Sequence, residues 1–154
     1  MEDQRKEVTR REFLGAAGLS AAILQRGNET AQWTAQERDA VEIVNDFCAA
    51  WATRDISKPL AFLSDDSVYR MSETTPPVKG HEGVIERLKS YVDVTDKLEF
   101  KVLQTAAMGP IVINHRIDSF VSTIRPVTWE GIGVFFVQNG KIKEWSDYTI
   151  RVTR

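Results

Sequence analysis

From Leu98 to Val152 the chain keeps to an alternating apolar and polar pattern, and three short breaks cut it into four pieces. Alternation of period two is the signature of strands with one face buried. The pieces are Leu98–Ala107, Ile111–Ile124, Val127–Gln138 and Lys141–Val152. The breaks are Met108-Gly109-Pro110, Arg125-Pro126 and Asn139-Gly140, all too short for a crossover helix. Asn-Gly between two such runs is the strongest short hairpin signal. The C-terminal half therefore has to fold as a long antiparallel meander.

Ahead of the meander the periodicity is helical. Thr34 to Trp51 carries Val41, Val44, Phe47, Cys48 and Trp51 on one face, and Thr34 with Glu37 forms a capping-box pattern. Asp55 to Phe62 predicts a short second helix with Leu60 and Phe62 apolar. A strand at Ser67–Met71 follows, starting from Asp65-Asp66. Thr74-Thr75-Pro76-Pro77 marks residues 72–80 as a loop, and His81–Tyr91 predicts a third helix with Val84, Leu88 and Tyr91 inward. Three helices before an antiparallel meander give an α+β domain. The expectation is a curved, mostly antiparallel sheet wrapped around N-terminal helices, enclosing a deep apolar pocket.

Strand parity then assembles a charge cluster. Asn114, Arg116 and Asp118 share one face of the second long strand, together with Val112 and Phe120; Trp145, Asp147 and Thr149 share one face of the fourth. Ionisable groups on an apolar face are costly to bury unless paired. An arginine between two aspartates supplies that pairing and leaves one carboxyl to act as acid and the other as base. The competing reading is a buried ion triad that only fixes strand register. On the third long strand Trp129, Gly131, Gly133 and Phe135 share a face, and two interior glycines either make room for a ligand or let the sheet bend. Trp129 and Trp145 are expected both in the core and on a pocket wall, with Phe120 beside them. Tyr69 and Met71 share a face of the short strand; a buried Tyr69 hydroxyl needs a partner, and Asp147 is the natural one. Thr149 carries little functional weight. His115 has the opposite parity and belongs to the other side of the sheet, and His81 sits at a helix start.

Several functional classes are excluded by composition. A net charge of −2 leaves no electrostatic footprint for nucleic acid. With one cysteine, Cys48, and two histidines, nothing resembles a zinc site, and no glycine-rich phosphate loop is present. Residues 1–30 differ from the remainder, 31–154, which reads as a single domain. Thr9-Arg10-Arg11-Glu12-Phe13-Leu14 resembles a twin-arginine export signal, and the small-residue run from Phe13 to Leu24 suits a signal core but is too short to span a bilayer. This predicts a periplasmic location after export; the competing reading is a loosely attached N-terminal helix of a cytoplasmic protein.

Tyr69, Arg116-x-Asp118 and Trp145-x-Asp147-Tyr148 together resemble the active-site pattern of the limonene epoxide hydrolase family. The resemblance spans roughly residues 36–152 and is supported by Asp65-Asp66, the Gly80 helix start and Gly133-Val134-Phe135 before Asn-Gly-Lys-Ile. It implies the cone-shaped α+β fold shared with ketosteroid isomerase, scytalone dehydratase and small polyketide cyclases. It implies a cofactor-independent enzyme that adds water to a small or medium apolar epoxide in one step, giving a vicinal diol. Carried over, Asp147 is the base that deprotonates water, Tyr69 helps hold that water, Asp118 is the acid, and Arg116 bridges the two carboxyls. Met71, Phe120, Trp129, Gly131, Trp145 and Asn114 are the expected substrate-binding residues.

One position departs from the pattern. The family has an asparagine that binds the water where this chain has Met71. Asn114 is a candidate substitute; failing that, the same site suits an isomerase, lyase or cyclase acting on a carbonyl compound or epoxide, or a non-catalytic binding domain. The resemblance also implies a homodimer. His115, Ile113, Ile132, Val134 and Phe136, on the face opposite to Arg116, lie either on such an interface or beneath the helices.

Overall fold

The computed structural model describes residues 33–122 and 126–153. The export-signal reading of residues 1–30 lies outside the described residues. Helix α1 is Ala35–Ala50, followed by a 3₁₀ turn, Trp51–Thr53, and the short α2, Ser57–Leu60. Strand β1 (Leu63–Arg70) and the two-residue β2 (Val78–Lys79) lead into α3 (Gly80–Asp93). The meander is β3 (Lys97–Met108), β4 (Ile111–Val121), β5 (Val127–Gln138) and β6 (Lys141–Thr153).

Helix α1 starts where its capping box dictates. Glu37 N donates to Thr34 Oγ1 (3.2 Å) and Thr34 N donates to Glu37 Oε2 (2.8 Å), satisfying two amides at the helix start. The other oxygen of Glu37 accepts from Gly109 N (2.9 Å), which ties the start of α1 to the β3–β4 turn. Val41, Val44, Phe47, Cys48 and Trp51 are all buried. Phe47 meets Phe135 (5.9 Å) and Trp145 (4.9 Å) edge-on, so α1 covers the sheet face that carries Arg116 and Asp147.

The sheet runs β2-β1-β6-β5-β4-β3 and is unclosed, since β2 and β3 are its two edges. Every pairing is antiparallel except β1 with β6. Asn139 and Gly140 both have positive φ (51° and 72°), as the tight β5–β6 hairpin requires. Register shifts interrupt β3–β4 near Val102 and β5–β6 near Glu130 and Phe136; such irregularities bend a sheet. The result is a curved α+β cone.

Four sequence expectations are corrected. The first strand begins at Leu63, four residues earlier than expected, because its opening residues pair with β6. The second helix is shorter, four residues long. Residues 78–79 of the supposed loop form β2, against β1. On α3, Val92 rather than Tyr91 faces inward; Tyr91 is 42% exposed. Ile113, Ile132, Val134 and Phe136 lie on the sheet face away from α1, not beneath it: Ile113 is exposed and the other three are half-buried. No helix among the described residues is long and apolar enough to cross a membrane.

Candidate active site

Register sets the site out in rows across the sheet. Asn114 on β4 faces Gly133 on β5, which faces Asp147 on β6. One row along, Arg116 faces Gly131, which faces Thr149; beyond it Asp118 faces Trp129. In the other direction Phe135 faces Trp145, which faces Tyr69 on β1. All of these side chains point to the inner face, as parity predicts.

The glycines on β5 explain how Arg116 reaches across a whole strand. A Cβ at Gly133 would lie 2.0 Å from Arg116 Nη1 and 2.7 Å from Asn114 Oδ1. The guanidinium thus lies in the gap that Gly133 leaves. A Cβ at Gly131 would lie 2.2 Å from the Trp129 indole. Neither glycine makes room for a ligand: the spaces are filled by Arg116 and Trp129. This corrects the expectation that Gly131 contacts substrate.

Arg116 is fully buried and its charge is shared among three acceptors. Nε donates to Asp118 Oδ1 (2.9 Å) and Oδ2 (3.1 Å), Nη1 to Asn114 Oδ1 (3.1 Å) and Nη2 to Asp147 Oδ1 (2.7 Å). Its guanidinium carbon lies 5.3 Å from the ring centres of both Phe100 and Trp129, with Phe135 and Trp145 slightly farther. Burial works against the arginine charge, but Asp147 and Asp118 more than offset it and hold its pKa above the ordinary value. Arg116 is therefore a permanent cation.

The two carboxyls differ. Asp147 Oδ1 accepts from Arg116 Nη2 and from Trp145 Nε1 (both 2.7 Å), and the nearby Tyr69 hydroxyl also favours its charged form. Asp118 has Arg116 as its hydrogen-bond donor. Burial raises both pKa values against the pull of Arg116, and Asp118 reaches about 7 with the Asp147 charge adding to the rise. One cation between two buried carboxyls favours a single shared negative charge, so the pair titrates as a unit. Two donor residues at Asp147 (Arg116 and Trp145) against one at Asp118 (Arg116) favour the charge on Asp147 and the proton on Asp118. Burial, then the Asp147 charge, keeps Tyr69 protonated well above its usual range, fit to donate.

Both carboxyls open onto a cavity of about 490 Å³. Tyr69, Trp145, Phe100, Phe120 and Trp129 line it near the aspartates; Met71, Leu88, Tyr91, Val94 and Val152 continue the wall. No lysine or arginine is among the described lining residues. Met71 is half-buried on that wall, where it offers a thioether and no useful hydrogen bond. Asn114 does not replace the missing polar group. It is fully buried behind the wall, with Oδ1 taken by Arg116 and Nδ2 directed at Cys48 Sγ (3.5 Å). Its expected substrate contact is therefore corrected to a support for Arg116.

The remaining groups fall outside the chemistry. Thr149 Oγ1 accepts from Trp129 Nε1 (3.1 Å). Burial pushes the Cys48 thiol up to about 12, so it is unreactive. His115 lies on the outer face against Glu130 Oε1 (3.0 Å), and His81 Nε2 lies 3.4 Å from Leu63 O at the start of α3. Sequence reasoning missed the Trp145 N–H bond to Asp147. The only signal was their i, i+2 spacing on one strand face.

Fold and site together define a cone-shaped α+β domain with an aspartate–arginine–aspartate chain at the base of an apolar cavity. The comparisons agree on the fold. Residues 44–145 match the SnoaL-like domain, and the chain belongs to that family, whose fold is NTF2-like. Among solved structures, a limonene epoxide hydrolase-like epoxide hydrolase of Mycobacterium tuberculosis superposes with a TM-score of 0.64 at 26% identity, covering 73% of this chain and 84% of that one. A putative SnoaL-like polyketide cyclase from Jannaschia sp. gives 0.67 at 15% identity, covering 77% and 90%. A protein of ketosteroid isomerase-like fold from Catenulispora acidiphila, in complex with trimethylamine, gives 0.62 at 15%, covering 70% and 84%. The fold is thus shared by epoxide hydrolases, polyketide cyclases and isomerases.

Proposed function

We propose that this protein is a cofactor-independent epoxide hydrolase that adds water to a small or medium apolar epoxide, giving a vicinal diol. The observation that carries the reading is the buried chain Asp118–Arg116–Asp147, with a proton favoured at one end and a charge at the other. Asp147 takes a proton from water, and the water oxygen attacks an epoxide carbon. The carbon–oxygen bond opens as Asp118 delivers its proton to the leaving oxygen. Tyr69, on the cavity wall with Asp147, helps orient the water. Arg116 stays charged throughout and keeps the two carboxyls in opposite protonation states. Positioned proton transfers of this kind are each worth ~10²–10⁴ in rate. The 26% identity to an epoxide hydrolase supports the assignment, and a cavity whose described wall is largely aromatic and aliphatic suits a neutral, apolar substrate.

The test is incubation with cycloalkene and terpene oxides in ¹⁸O-labelled water, with diol and label followed by mass spectrometry. Labelled diol is expected, with losses of 10²-fold or more in Asp118→Asn and Asp147→Asn. A folded protein that gives no diol across the panel refutes the reading.

Met71 favours a second reading. With an apolar side chain on the wall where a water ligand is wanted, the same proton-transfer groups suit an isomerase, lyase or cyclase. Unlabelled carbonyl or rearranged product in the same experiment would establish it. Two further proposals concern context. The outer sheet face exposes Ile113 and Tyr148 beside half-buried Ile132, Val134 and Phe136, which supports a homodimer, testable by light scattering. Arg10-Arg11 supports export to the periplasm, testable by cell fractionation of Arg10→Lys/Arg11→Lys.

A further inference from the structure

Trp145 stands apart from the other aromatic residues of the cavity because it is polar toward the catalytic pair. Its Nε1–H donates to Asp147 Oδ1 at 2.7 Å, and the same oxygen accepts from Arg116 Nη2 at 2.7 Å. The indole is 1% exposed and has little freedom to turn away. It is stacked on Tyr69 (3.9 Å between ring centres) and lies parallel to Phe135, while Phe47 meets it edge-on (4.9 Å). The stack therefore holds the indole N–H in place against one carboxylate oxygen.

An indole N–H can only donate. It stabilises the carboxylate form of its partner and gives the neutral acid less. With Oδ1 occupied by an indole and a guanidinium, the lone pairs left for an incoming proton are concentrated on Oδ2. Asp118 has no tryptophan in the corresponding place: its strand neighbour Trp129 donates to Thr149 instead. Arg116 is common to both carboxyls, so it does not by itself decide which one is the base.

We infer that Trp145 is a positioning residue whose indole N–H fills Asp147 Oδ1, so that Asp147, through Oδ2, is the proton acceptor and Asp118 the donor. The inference rests on the acid–base reading given above, but it is tested without substrate. Protein labelled with ¹³C at the aspartate side-chain carboxyls is titrated by NMR, with Asp118→Asn and Asp147→Asn supplying assignments. In Trp145→Phe the Asp147 titration is expected to move up by about one to two pH units, ten- to a hundredfold in the protonation equilibrium, the usual worth of one hydrogen bond to a charged group.

Phe135→Leu serves as the packing control. It loosens the same stack but keeps the N–H, and is expected to lower the melting temperature without moving Asp147. If Trp145→Phe does not fold, replacing Trp145 by 3-benzothienylalanine keeps ring size and removes the donor, with the same upward movement expected. A folded donor-less variant whose Asp147 titrates as in the wild type overturns the inference. So does an equal movement in Phe135→Leu. If the titration moves while no epoxide yields diol, the positioning role stands and the hydrolase assignment fails.

Discussion

Gly133→Ala tests whether the gap in β5 is what lets the site form. The added Cβ would sit 2.0 Å from Arg116 Nη1, against the 3.4 Å or more of an ordinary contact. Arg116 or the strand must therefore retreat by about 1.4 Å. The side chain is fully buried, and Phe135 and Asn114 Oδ1 each stand 2.7 Å from the same point, so no open direction exists. A retreat of that size breaks the 2.7 Å bond to Asp147 or the 3.1 Å bond to Asn114. Overpacking costs about 1–3 kcal/mol, and a lost hydrogen bond to a charged group about 1.5–3 kcal/mol. The total, roughly 2.5–6 kcal/mol, is a large share of the 5–15 kcal/mol typical of a domain, so the variant is expected to fold with a strongly lowered melting temperature. Misplacement of about 1 Å at a reacting group costs about 10²-fold in rate, and turnover on the best epoxide found should fall by at least that much. Thermal melts and steady-state kinetics on one preparation decide the matter. A variant with wild-type melting temperature and turnover would refute the account of Gly133 as the seat of the guanidinium.

The other predictions follow from Met71 and Asp118. Met71→Asn restores an amide on the cavity wall and is expected to raise the yield of ¹⁸O-labelled diol at least tenfold; an unchanged yield would show that the water is not seated there. Protonated Asp118 is required as the acid, so log kcat/KM should fall by one per pH unit above about 7, and a profile flat to pH 9 would exclude Asp118 from that role. The same group affects stability. Its folded pKa is raised from 3.8 to about 7, so its contribution is full below about 4 and is lost as pH rises toward 7. Urea denaturation should therefore show the wild type losing more stability between pH 5 and 8 than Asp118→Asn does.

Much of the site was legible because strand parity is rigid. Asn114, Arg116, Asp118, Trp145 and Asp147 had to share a face once their runs were read as strands, and the Asn139-Gly140 hairpin and the neighbouring pairings brought β4 and β6 to either side of β5. What parity cannot supply is how far a side chain reaches. Whether Gly131 and Gly133 faced a ligand or a neighbour depended on Arg116 being long enough to cross β5. Whether Asn114 looked into the cavity or behind it depended on a rotamer held by Arg116 and Cys48. The parallel pairing of β1 with β6 was hidden because its partners lie more than seventy residues apart, with no local turn to announce them. Tyr91 and Val92 were exchanged because an amphipathic face drifts over three turns of helix, and one residue of phase separates the cavity mouth from the core.

The remaining question is why a chain would keep this charge cluster at all. A triad retained only for register gains nothing from an open edge, and replacing buried ion pairs by well-packed apolar residues is often neutral or stabilising. Here the geometry is lopsided in a way that register does not require. Arg116 is sealed completely, while both of its carboxyl partners line the cavity. The cation is placed where it tunes its neighbours and touches nothing that enters. The carboxyls sit where a bound molecule meets one oxygen-bearing group on each side. Trp145 then adds a donor to one carboxyl and leaves the other with Arg116, an asymmetry that adds no register information, since β5 separates the two strands in either case. Unequal solvation of paired acids in an apolar cavity is what separates a proton donor from a proton acceptor at one pH. That asymmetry, more than the presence of three charges, is the argument for acid–base chemistry.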